Sequence, residues 1–117
     1  MIRNVLLVDD DTVILGRWRE SLIDLGYRVV TATTIEEARR VFPDLEWDAI
    51  AVDGCIGGDE FNCVPLIREF KEKCKPSCVI VAASNNRDLL AYMRDAGCTD
   101  VAEGKRFVPA VIYSHLG

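Results

Sequence analysis

Short apolar runs rich in β-branched residues alternate along the whole chain with longer stretches whose apolar residues recur at helical spacing. That alternation predicts a parallel sheet, because parallel neighbours need a crossover, usually a helix, between them. The strand runs are Arg3 to Val8, Arg28 to Thr31, Ala49 to Val52, Cys78 to Ala83 and Asp100 to Ala102. Several are apolar throughout, as expected of central strands covered on both faces. Between the first two, Val13, Leu15, Trp18, Leu22 and Leu25 recur at helical spacing and Gly26 supplies a stop, and Trp18 is expected in the core. Thr34 with Glu37 forms a capping box before Ile35, Ala38, Val41 and Phe42, and Pro43 closes that helix. A third helix is expected from about Val64, with Pro65 in its first turn and Leu66, Ile67 and Phe70 inward. A fourth runs from Arg87 to Ala96 before Gly97, and a short fifth from Val108 to Leu116.

Five βα units in 117 residues suit a single α/β domain spanning residues 1–117. The doubly wound, flavodoxin-like fold is expected, a five-stranded parallel sheet in the order 2-1-3-4-5 with five helices. Half the residues are apolar and 28% charged, too hydrophobic for a disordered chain and too often interrupted by charge for a membrane span. The apolar stretch Val5 to Val8 is too short for a signal-peptide core, so a soluble cytoplasmic protein is expected. A net charge of −5 disfavours binding to nucleic acid or to an anionic membrane and points to a protein partner. The five cysteines contain no Cys-x-x-Cys pair and His115 is the only histidine, which argues against zinc and for thiols in a reducing compartment.

In the expected strand order the first and third strands are neighbours, and the crevice lies at their carboxyl ends. Asp9 and Asp10 follow Val8 and Asp53 follows Val52, so three carboxylates from distant sequence meet on one rim. Carboxylates that close either take up a proton or recruit a cation, and hard oxygens beside solvent suit Mg²⁺. Ser84 ends the fourth strand and Lys105 follows the fifth, placing a hydroxyl and an ammonium on the same rim. Phosphoryl transfer needs positioning and charge neutralisation more than covalent help, which makes Asp53 the expected nucleophile. Asp11 is expected to cap the first helix.

In Val5-Leu6-Leu7-Val8-Asp9-Asp10-Asp11, Asp48-Ala49-Ile50-Ala51-Val52-Asp53 and Val79-Ile80-Val81-Ala82-Ala83-Ser84 the chain resembles response-regulator receiver domains over essentially its whole length. The resemblance implies that Asp53 is the phospho-acceptor. It also implies that Asp10, Asp53 and the backbone carbonyl of Cys55 bind Mg²⁺ directly, with Asp9 acting largely through water. Ser84 would take the family's hydroxyl role. A sensor histidine kinase or phosphotransfer protein would supply the phosphoryl group, and an output domain or effector protein would receive the signal. Three positions depart from the family pattern. Lys105 comes one residue late, after Glu103-Gly104; Val101, or Ala102 in another register, stands where an aromatic residue is usual; and Gly57 replaces a common proline, so a more mobile loop is expected after Asp53.

Residues 57 to 61 spell Gly-Gly-Asp-Glu-Phe, the signature string of diguanylate cyclases. In that family the string turns a β-hairpin and a strand follows, whereas here Pro65 and a helical pattern follow. Asp9-x-Asp11 with Ser84 and Lys105 also resembles haloacid-dehalogenase-type phosphatases, but no acidic residue occurs beyond Lys105 to supply their fourth motif. A pseudo-receiver, keeping the fold as an interaction module without phosphorylation, is the remaining alternative.

Overall fold

A computed structural model describes the backbone of residues 2–117 and the side chains of all of these except residues 59 and 60. The main sheet is built from β1 (Asn4–Val8), β2 (Arg28–Ala32), β3 (Ala49–Asp53), β6 (Val79–Ser84) and β7 (Asp100–Glu103). Two-residue strands β4 (Cys55–Ile56) and β5 (Asp59–Glu60) form a separate antiparallel pair. The order β2-β1-β3-β6-β7, every neighbour parallel, is the expected 2-1-3-4-5 when only the strands of the main sheet are counted. Each strand lies within a residue of its expected bounds at either end.

Alternation along the strands divides the core between the two faces of the sheet. Leu6, Val8, Ile50, Val52, Ile80 and Ala82 face α3 (Cys63–Lys73) and α4 (Arg87–Ala96), whose Leu66, Ile67, Phe70, Leu89, Leu90 and Met93 are buried, and Ala38 of α2 (Ile35–Val41) completes that layer. Val5, Leu7, Ala49, Ala51, Val81 and Ala83 face the other way. There they meet Leu15, Trp18 and Leu22 of α1 (Thr12–Asp24) and Val108, Ile112 and Leu116 of α5 (Val108–Leu116). Trp18 is in the core, as its spacing predicts. The two sides differ in make-up, since four of the strand residues facing α1 and α5, Ala49, Ala51, Ala83 and Ala102, are alanines.

Local signals in the sequence hold the helix starts. The Asp11 side chain accepts from the amides of Val13 and Ile14 and caps α1. Thr34 Oγ1 accepts from Glu37 N, while Glu37 Oε1 accepts from Thr33 N, one residue before the reciprocal partner of an ideal capping box. Asn86 caps α4 by accepting from Asp88 N and Leu89 N. Pro65 sits in the first turn of α3, where its missing N–H costs no helical bond. Among the described residues no helix is long and apolar enough to cross a membrane.

Candidate functional site

Parallel strands β1 and β3 end side by side, and the residues that follow them are delivered to one rim. Asp9 is wholly buried, Asp53 is 3% exposed and Asp10 is exposed, and one carboxylate oxygen of each lies within 4.8 Å of the others. Lys105, from the short 3₁₀ turn Lys105–Phe107 after β7, places Nζ 3.0 Å from Asp9 Oδ2 and 3.0 Å from Asp53 Oδ1. Asp9 Oδ1 accepts from Asp11 N at 2.9 Å, but buried Oδ2, though close to the ammonium, receives no aligned hydrogen bond. A buried carboxylate oxygen in that condition keeps a lone pair for a further partner.

Burial sets the electrostatics. Desolvation pushes the Asp9 carboxyl up from 3.8 to about 6, helped by the charge of Asp53 and opposed by the Asp11 amide and Lys105. Burial likewise raises Asp53, against the pull of Lys105 and of the Cys55 amide. Desolvation opposes the Lys105 charge, but the two carboxylates outweigh it and hold the ammonium above its usual value.

The late lysine reaches the site because of Gly104. With φ +116, this residue takes a backbone conformation that L side chains rarely adopt, and its N–H turns back to Ala102 O at 2.9 Å. The extra residue is absorbed in that tight turn, so the offset in sequence costs no reach. The Lys105 carbonyl accepts from Trp18 Nε1 at 2.8 Å across the α1 interface.

Several hydrogen bonds fasten the segment after Asp53. Gly57 and Gly58, with φ +73 and +79, turn the β4–β5 pair. Gly57 N donates to Asp10 Oδ2 at 2.9 Å, a bond that a proline could not make. The Asn62 side chain bonds both the N–H and the carbonyl of Ile56. Gly54, directly after Asp53, lies so close to α4 that a Cβ there would stand 2.4 Å from Leu89 Cδ2. The Gly-Gly-Asp-Glu-Phe string therefore does turn a hairpin, but of two residues a side, and α3 rather than a strand follows it.

Ser84 is buried at the end of β6, where its Oγ accepts from Asn86 N at 3.0 Å. The fold thus joins Asp9 and Asp53 through Lys105 and brings Asp10 beside them, with Ser84 at the end of the adjoining strand. Cys55 lies in β4, two residues past Asp53. Val101 is half-buried on β7, between shallow grooves toward α4 and α5. Two supports of the site, Trp18 and Asn62, carry no local sequence signal for that task.

No protein-family model matches the sequence, and no curated protein is similar to it at the sequence level. Solved structures are similar in fold. A two-component response regulator from Clostridium difficile superposes with a TM-score of 0.82 at 17% identity, over 97% of this chain and 95% of that one. The chain has the fold of a receiver domain. A receiver domain protein from Methanospirillum hungatei gives 0.75 at 21% identity over 97% and 93%. A response regulator from Burkholderia pseudomallei, solved with a phosphorylated aspartic acid, a calcium ion and citrate, gives 0.83 at 22% identity over 98% of this chain and 66% of its own. The receiver fold places the carboxyl ends of β1 and β3 together, where the three carboxylates and Lys105 lie.

Proposed function

We propose that this chain is a phospho-acceptor receiver domain that takes a phosphoryl group on Asp53 in the presence of Mg²⁺. The observation that carries the proposal is the Lys105 ammonium held between Asp9 and the acceptor Asp53 at 3.0 Å from each, despite the lysine's late position. A merely structural module has no need to bury two carboxylates beside a third and a lysine, since buried charges cost stability unless a function retains them. The three carboxylates, with Asp9 Oδ2 held among the described residues by nothing but its ion pair to Lys105, fit a divalent cation of the hard, oxygen-seeking kind. Asp10, Asp53 and the Cys55 carbonyl would hold it, with Asp9 behind them. When bound, the cation supplies neutralising charge for the oxygens of the transferring group.

In the transfer, an ionised Asp53 oxygen attacks phosphorus while the phosphorus–nitrogen bond of a donor phosphohistidine breaks. The bonding pair leaves with the imidazole nitrogen. Lys105 lowers the cost of keeping buried Asp53 ionised beforehand and is placed to pair with a phosphoryl oxygen afterwards. Ser84 uses its oxygen to accept from Asn86, which leaves its O–H free to donate to the same group. A sensor histidine kinase or phosphotransfer protein is the expected donor. The calcium ion and phosphorylated aspartic acid in the Burkholderia protein support this chemistry on the same fold.

Intact mass after incubation with acetyl phosphate and Mg²⁺ tests the proposal. The protein should gain one phosphoryl group and Asp53→Asn none. Equal labelling of both would refute Asp53 as the acceptor, and an unlabelled wild type would favour the pseudo-receiver.

A further inference from the structure

The geometry points to Trp18 as a positioning residue for this site, acting through the backbone of Lys105; the inference rests on the phospho-acceptor reading for its functional meaning. Lysine reaches its partners through a flexible four-carbon stem, so the place of its ammonium depends on how firmly its backbone is held. That backbone belongs to a segment with an additional residue, turned at Gly104 and entering the 3₁₀ turn through Phe107 N donating to Gly104 O at 3.0 Å. Nothing in the sheet holds it, because β7 ends at Glu103.

The Lys105 carbonyl is instead held by two donors. Val108 N–H bonds to it from the start of α5, and Trp18 Nε1 donates at 2.8 Å from 87 residues away. The indole is 2% exposed and fixed in the layer between the sheet and α1, so it is a rigid anchor. Indole N–H is a donor only, and of the aromatic side chains that could fill this space phenylalanine offers no donor at all. One carbonyl thereby joins α1, α5 and the lysine whose Nζ bridges Asp9 and Asp53. Trp47 provides a comparison within the same chain, since its Nε1 donates at 2.8 Å to Phe42 O, in the short turn after α2.

Trp18→Phe keeps an aromatic ring in the core and removes the N–H. Brief acylation with acetic anhydride, read peptide by peptide, should show Lys105 modified several-fold faster in the variant, with Lys75, which pairs with Asp48, unchanged. Phosphorylation by acetyl phosphate should slow several-fold at an unchanged Mg²⁺ midpoint. In a Lys105→Met background Trp18→Phe should produce no further slowing, since a positioning residue acts only through the group it positions. Unaltered Lys105 acylation in a folded Trp18→Phe protein would overturn the inference, as would an equal slowing in the Lys105→Met background. Should Trp18→Phe fail to fold, the indole signals of the Lys105→Met protein decide. The Trp18 Nε1–H resonance should move while that of Trp47 stays, and an unmoved Trp18 signal would overturn the inference. Acylation and indole shifts do not require phosphorylation, so a wild type that never takes the phosphoryl group would refute the phospho-acceptor reading while these measurements still judge Trp18.

Discussion

Asp9→Asn should stabilise the metal-free protein at neutral pH and lose most of that advantage in acid. Burial raises the Asp9 carboxyl from 3.8 to about 6, so the folded protein binds this proton more tightly than the unfolded chain does. Stability contributed by the group is therefore highest in acid and falls as pH rises through the window from 3.8 to about 6, because over that window the native state holds the extra proton. The displacement corresponds to about 3 kcal/mol by the usual conversion. About 1 kcal/mol of this cost is already present near pH 4.5, so about 2 kcal/mol develops between pH 4.5 and pH 7.5. Asparagine can still accept from Asp11 N but loses the charge facing Lys105, which shifts the variant's stability without following the carboxyl titration. The pH-dependent part is thus the informative one. Urea unfolding of both proteins in EDTA at the two pH values would measure it. If the stability difference between variant and wild type is the same at both, or larger in acid, burial of an ionised Asp9 does not strain the site.

Three further outcomes follow from the geometry. Mg²⁺ at ten times its dissociation constant should stabilise the fold by about 1.4 kcal/mol, and thermal unfolding should show this shift shrinking in Asp10→Ala, which removes an expected ligand. Gly57→Ala should cost about 1–2 kcal/mol in urea unfolding because φ is +73 there, and Gly57→Pro should cost more, since it also removes the N–H bonded to Asp10. Beryllofluoride with Mg²⁺ should move amide resonances strongly at Asp10, residues 53–58 and Ser84 and only weakly from Ala110 to Leu116, because stiff Val101 offers no ring to carry the change; large shifts along α5 would show another route.

The sheet and its helices were legible because each local signal agrees with the global fold. Apolar runs mark the strands, Asp11 and Thr34 mark helix starts, Gly26 and Gly97 mark ends, and the strand order alone predicts that Asp9, Asp10 and Asp53 meet. What could not be read depends on distant partners or on one residue's backbone angles. Gly104 resolves the lysine's offset through a positive φ that no spacing rule reveals. The Trp18 bond to Lys105 joins residues whose proximity exists only after folding. The β4–β5 pair is missed, because two residues a side are too few for an alternating pattern to show and Gly57 reads only as loosening a loop.

The sheet offers smaller side chains to α1 and α5 than to α3 and α4. Where Ala49, Ala51 and Ala83 face α1 and α5, the helices supply most of the filling volume; on the opposite side Ile50, Val52 and Ile80 share it with α3 and α4. A larger side chain at Ala51 has no slack to occupy and must lift α1 or α5, and with them the seam through which Lys105 enters. Trimming Ile50 leaves a void on the far side of the sheet from that seam. Sequence drift in this chain is therefore lopsided in its effects. Changes of size facing α1 and α5 reach the chemistry through Lys105, whereas those facing α3 and α4 reach it only where α4 meets Gly54.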